Sequence, residues 1–263
     1  MIKTAVKKTS KSKNVKSASL RAVRWREFLR WVDLHADSRW VFRGQGDVQY
    51  QLIPNIGRGE YSAIHERALL EIFERRSVEF QSSEIKEWDM LALAQHHGLP
   101  TRLLDWTTNP LVAAYFAVSG APGTIKVKRS GAATEMSVTP DARDVAAQIV
   151  AFKVSTKQII NTRREKKPFE RKEIGFLLPR SLSTRIVTQS GVFSVHSNPA
   201  QAWLEPVQDR KNVFEIPGDM RSFFRRRLFY FGIDPQRIMG GLDGLCSRLA
   251  WQYTARIGLG AVR

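Results

Sequence analysis

The ten residues PLVAAYFAVS, 110–119, are apolar all the way round. A helix without a polar face cannot lie on a surface and must be packed between other elements. This stretch is therefore expected to be the centre of the fold. Its start is well marked, because Thr108 or Asn109 can cap the first free N–H groups and Pro110 suits the first helical position. Ala113, Ala114 and Ala117 leave room for another backbone to come close.

The flanking sequence supplies the elements that would cover it. Leu20, Val23, Phe28, Trp31, Val32 and Leu34 recur at mostly helical spacing, and RWVFR, 39–43, reads as a short strand stopped by Gly44 and Gly46. Residues 61–80 read as an amphipathic helix with Ile64, Ala68, Leu69, Ile72, Phe73 and Phe80 as its apolar stripe. A third helix over about 84–97 ends where Gly98 can cap it, with Pro100 beyond. Residues 119–147 read as a long loop with a ragged strand at TIKVK. AQIVAFKV, IGFLLPR and SGVFSVHS read as strands, and STKQIIN as the start of a short helix. TRREKKPFERKE, with nine charged residues in twelve, reads as a solvated loop. MRSFFRRRLFYFGI and the segment from Pro235 onward read as two closing helices. Helices come first and most strands later, which favours an α+β fold over a βαβ array. The expectation is N-terminal helices packed on a mixed, mainly antiparallel sheet.

A 43% hydrophobic share, seven Trp and fourteen Phe are enough for a sizeable core in a chain of 263 residues. The lone Cys246 excludes an intramolecular disulfide, fits a reducing compartment, and is expected as buried filler in a terminal helix. The longest strongly apolar run, Leu111 to Val118, is far short of a membrane span, and no apolar segment follows the basic start as in a secretory signal. The expectation is a cytoplasmic protein with no membrane partner.

The net charge of +17 is uneven, since residues 1–30 hold ten Lys or Arg against Glu27 alone. MIKTAVKKTSKSKNVKSA, 1–18, has too few large apolar groups to offset ordering entropy and is expected to be a disordered basic tail on a single domain, 19–263. This balance points to a polyanionic partner, a nucleic acid or an acidic protein reached through the tail. The plain alternative is a solvated tail.

Several residues carry chemistry. In FRGQGD, 42–47, Arg43 ends a strand beside Gly44 and Gln45, placing a cation next to exposed backbone where a phosphate or carboxylate fits. A structural salt bridge is the plain reading of Arg43. In LLDWTTNP, Thr107, Thr108 and Asn109 lie at a helix N-terminus, where free N–H groups and the dipole attract anions, capping being the plain reading. Asp105, between Leu104 and Trp106, needs a partner, with Arg102 or Arg43 available, and is expected to be structural. His96 and His97 are adjacent and point about 100° apart on a helix, which does not suit two ligands of one metal, so no metal is expected. Either could still face a cleft. Gln189, ahead of a glycine and a strand, can hydrogen-bond an amide or sugar but cannot act as a general base.

Taken together, FRGQ (42–45), QHHGLPTRLLDWTTNPLVAAYFA (95–117) and RIVTQSGVF (185–193) resemble the FRG domain family, named for its Phe-Arg-Gly motif. The likeness spans about 25–200 and leaves a C-terminal helical extension. The pattern in turn resembles the ADP-ribosyltransferase layout. That resemblance implies NAD as substrate, Arg43 as its grip, Thr107 and Thr108 ahead of Ala113 to Phe116 as the nicotinamide brace, and Gln189 where the family's late catalytic Glu falls. A neutral amide stabilises developing positive charge far less than a carboxylate. Glu205 is a candidate substitute. The functions implied are an ADP-ribosyltransferase-like effector, a toxin or phage-defence protein, or else a non-enzymatic nucleic-acid-binding or regulatory module.

Overall fold

The computed structural model describes residues 19–59, 61–80, 85–119, 125–130, 133–138, 145–180 and 188–258. The tail 1–18 lies outside them. The fold is α+β, with eight helices among the described residues and a six-stranded sheet.

Helix α1 covers residues 19–34 and leads into strand β1, Trp40–Gln45. Helices α2, Glu66–Ser77, and α3, Glu87–His96, precede β2, Leu103–Thr107, and the apolar helix α4, Pro110–Ser119. Strands β3, Ile125–Ser130, and β4, Ala133–Val138, form a separate two-stranded sheet. Then come β5, Ala147–Lys153, β6, Gly175–Leu177, β7, Gly191–Val195, helix α5, Glu205–Gln208, and β8, Val213–Ile216. Helices α6, Arg221–Tyr230, α7, Pro235–Met239, and α8, Gly241–Ala255, close the described chain.

The main sheet runs β6-β7-β2-β1-β5-β8, and every pairing in it is antiparallel rather than mixed. Among the described residues, one isolated parallel bridge joins Ile159, outside the named strands, to Phe176 of β6. Period-two alternation sorts the side chains. Phe42, Ile149, Phe214 and Ile216 meet α1, α4 and α6 in a core that includes Trp25, Phe28, Ala113, Ala117, Phe224 and Leu228. On the same face, over the other half of the sheet, Leu103, Leu177, Phe193 and Val195 meet Leu70 of α2 and Trp88 and Leu91 of α3. The opposite face is one core of Val41, Leu104, Trp106, Val150, Phe152, Phe176 and Val192 beneath Leu52 and Trp203.

Helix α4 is central, as its composition demands, and its approach to β1 is very close. A Cβ on Gly44 would sit 1.9 Å from the Ala113 carbonyl oxygen. The 61–80 segment departs from expectation. It breaks into α2 flanked by two 3-10 turns, and Ile64, Ile72 and Phe80 are exposed, while Glu66, Leu70 and Ser77 face inward. The helix is turned about its axis because Glu66 is drawn in by Arg102, an attraction apolar periodicity does not register. Strands β2, β4 and β8 lay unread in the sequence, β4 inside the stretch expected to be a loop. The segment from Pro235 is two helices, divided at Gly240 with φ 70°, and Cys246 is exposed rather than buried.

Candidate functional site

Strands β1 and β2 pair through one position only, Phe42 with Thr107. Beyond it they splay. The Arg43 guanidinium reaches across the gap, and its Nη1 donates to the Asp105 carbonyl at 2.5 Å, standing in for a ladder bond. The gap lies under the junction of the two helical cores and opens a cavity of about 290 Å³. Phe42, Arg43 and Gly44 of β1, and Asp105, Trp106 and Thr107 of β2, line it. His96 at the end of α3, Phe116 of α4, and Gln189, Gly191 and Phe193 beside β7 complete the wall.

Arg43 is largely buried, with 16% of its side chain exposed, and its Nε has no hydrogen-bond partner. Burial pushes the guanidinium below its ordinary pKa, Asp105 opposes that, and an arginine so placed remains a cation. The Asp105 carboxylate stands 4.0 Å from Arg43 and is 63% exposed to the cavity side, held by a 3.0 Å bond from Gln95 Nε2. Gln95 is itself fixed, because its Oε1 accepts the Thr101 hydroxyl at 2.6 Å. A cation and a carboxylate thus sit side by side, the carboxylate only loosely engaged with the cation.

The Thr107 hydroxyl donates to the Gln189 carbonyl at 2.6 Å and accepts the Asn109 N–H at 3.0 Å, so it ties Gln189 to the rim. Ser190, at φ 49°, makes the tight left-handed turn that presents Gln189 ahead of β7. The Gln189 side-chain amide donates to the Ile238 carbonyl at 2.9 Å. Asn109 caps α4, its Oδ1 accepting the N–H groups of Leu111 and Val112. Thr108 is exposed and outside the cavity, its N–H bonded to the Ser190 carbonyl. Gln45 is buried and engaged with Gln148 and the Tyr50 carbonyl. His97 is exposed on the turn after α3, edge-on to His96. Arg102 lies elsewhere. It makes a buried ion pair with Glu66, at 2.9 Å, and stacks on Phe169. Glu205 accepts the Trp203 indole N–H and does not line the cavity. No His, Cys, Asp or Glu cluster suited to a metal ion occurs among the described residues.

Of the residues read from sequence, the cavity thus gathers Arg43, Gly44, His96, Asp105, Thr107 and Gln189. Phe116, the end of the Ala113 to Phe116 stretch, lines it as well, and those not foreseen are Trp106, Phe193 and the Gln95 brace. Reading LLDWT as a strand would have put Asp105 and Thr107 on one face by period two. Behind the wall, the Trp106 indole donates to Ser194 Oγ at 2.9 Å, and the Ser194 hydroxyl lies 2.9 Å from His196 Nε2. Ser194 accepts from Trp106 and still has its own hydrogen to offer an unprotonated His196 Nε2, a pairing open to the neutral ring. Burial and then the charge of Arg43 lower the His196 pKa to about 4.

Residues 38–123 match the FRG domain. The chain carries an FRG domain. The match runs from β1 to just past α4 and supplies Arg43, His96, Asp105, Thr107 and Phe116 to the cavity. Gln189, Gly191 and Phe193 come from beyond it, so the FRG domain's cavity is closed by later sequence. No curated protein and no solved structure matches the chain. No helix among the described residues is long and apolar enough to cross a membrane.

Proposed function

We propose that the cavity takes the nicotinamide-ribose end of NAD and that the chain is an ADP-ribosyltransferase-like effector acting on a nucleic acid or protein. The observation that supports this most is convergence. Arg43, Thr107 and Gln189 lie far apart in sequence, yet all line one cavity. Its volume of about 290 Å³ is at the small end for ligand pockets, so it suits half of a dinucleotide, with the rest outside. Phe42, Phe116 and Phe193 offer apolar walls for a flat ring. Arg43 supplies a cation for the pyrophosphate. Asp105, rather than Gln189 or Glu205, is the carboxylate beside the ribose, where it stabilises positive charge as the C1′–N bond breaks. Nicotinamide leaves with the bonding electrons, and the acceptor attacks C1′ and gives up a proton. Thr107 acts on the Gln189 backbone carbonyl rather than on the ligand, and Gln189 offers its side-chain amide oxygen to the ribose.

The test is calorimetric titration with NAD and measurement of nicotinamide release, on the full chain and on Arg43→Lys, Arg43→Ala and Asp105→Asn. Arg43→Ala is expected to weaken NAD binding at least tenfold, with Arg43→Lys intermediate. Asp105→Asn is expected to slow release on the order of a hundredfold with little change in affinity. Folded variants that bind NAD as the native chain does, or a native chain that does not bind NAD, would overturn the reading. The net charge of +17 favours a second reading, a non-enzymatic nucleic-acid-binding module. That reading requires steeply salt-dependent nucleic-acid affinity that Arg43→Ala leaves unchanged.

A further inference from the structure

Helix α8 packs one side onto the molecule, where Trp251 meets Phe229 and the Arg225 guanidinium, and Gly244 fits against Gln236 of α7. Its other side is left exposed by the described residues. Leu242 is 77% exposed, Leu249 56% and Tyr253 64%, and Cys246 between them is exposed as well. These four positions follow one another at steps of four, three and four. That is the narrow seam of a two-helix coiled coil, not the broad stripe of a helix lying on a globule.

We infer that this seam is where a second copy of the chain docks, α8 against α8, in an antiparallel two-fold pair. Periodicity asks for a partner helix with the same seam, and the chain carries one. Charge argues against the other large class of partner. The chain as a whole is +17, yet the seam has no charged residue, and Arg248 of α8 is engaged with Asp234 and Gln236. A polyanion finds no cation along it, while a second copy meets less repulsion there than against a basic surface. An antiparallel pairing centred between Cys246 and Leu249 sets Leu242 opposite Tyr253 and Cys246 opposite Leu249. The flanking positions then place Asp243 opposite Ala250 and Leu245 opposite Gln252, so no like charges meet. The two helix dipoles also oppose. So short a seam buries on the order of 500 Å² per copy, below the roughly 800 Å² of a standard stable interface, so the dimer is weak and concentration-dependent.

Sedimentation equilibrium of the full chain over a wide concentration range tests this. The expected result is a reversible monomer–dimer equilibrium that Leu249→Glu weakens at least tenfold. Ile64→Glu, on an exposed site of the turn before α2, should leave it unchanged. A nitroxide on Cys246 should show a short intermolecular spin–spin distance in the dimer that Leu249→Glu abolishes. A monomer at every concentration overturns the inference, whether Cys246 is open to thiol reagents or shielded by another part of its own chain. So does a dimer that survives Leu249→Glu, or one with a long Cys246–Cys246 distance.

Discussion

Burial, and then the positive charge of Arg43, hold the His196 imidazole neutral, with its pKa lowered from 6.5 to about 4. The ring is fully enclosed, and its Nε2 lies 2.9 Å from the Ser194 hydroxyl, which receives the Trp106 indole N–H. Protonating the ring would bury a cation and place it beside Arg43. Between pH 6.5 and about 4 the unfolded chain binds a proton at this histidine and the native one does not. Stability therefore falls as pH drops through that window and is unaffected by this group above it. At about 1.4 kcal/mol per pH unit the whole loss from this residue is roughly 3 kcal/mol. Urea unfolding midpoints measured across the window check it. His196→Gln keeps an acceptor for Ser194 without a titrating group, and its midpoint should fall less steeply with acid than the native one. Parallel curves would mean that His196 does not contribute to the acid sensitivity.

The elements differ in how openly their sequences declare them. α4 was legible because an all-apolar run with a capping Asn and an N1 proline has few other ways to fold, and Asn109 does cap it. β1 and β5 were legible from their β-branched and aromatic content. β2 was not, because a strand of five residues with Asp105 in its middle lacks a clean alternation. The face of α2 was misread because its inward anchor is a glutamate. The site was legible to the same degree. Arg43, Thr107, Phe116 and Gln189 stood out within motifs, whereas Phe193 and Gln95 become neighbours only through tertiary packing. The contact of β1 with α4 yields a sharper expectation. Gly44→Ala puts a methyl 1.9 Å from the Ala113 oxygen and 2.6 Å from the Ala117 nitrogen, both of them backbone atoms that cannot swing aside. The cost should be about 3 kcal/mol or more. Two residues on, Gly46→Ala meets only the Arg221 guanidinium at 3.5 Å, an ordinary contact, and should cost under about 1 kcal/mol. Chemical denaturation of the pair separates steric need at Gly44 from a general intolerance of change in this turn.

At the scale of the whole molecule, the sheet is a single ladder whose halves carry separate helical cores, joined at the one β1–β2 pairing position, at Arg43 and by the core they share on the opposite face. The half bearing α2 and α3 has its own anchor. Glu66 accepts the Arg102 backbone N–H at 2.6 Å and its Nε at 2.9 Å, fastening the first turn of α2 to the residue before β2. Both side chains are buried, and burial raises the Glu66 pKa against the opposing pull of Arg102. A buried pair of this kind contributes little net of desolvation, but removing one partner strands the other in the interior. Glu66→Ala should therefore cost about 3–5 kcal/mol, and at roughly 2–4 °C per kcal/mol the melting temperature should drop on the order of 10 °C. Glu66→Leu combined with Arg102→Met removes the stranded charge and should recover most of that loss, although the Arg102 N–H is left without its acceptor. If the double variant is no more stable than Glu66→Ala, the carboxylate matters as a backbone cap rather than as a counter-ion. If Glu66→Ala alone melts near the native temperature, α2 is not anchored through this pair, and the cavity beside His96 must be positioned by the α3 core instead.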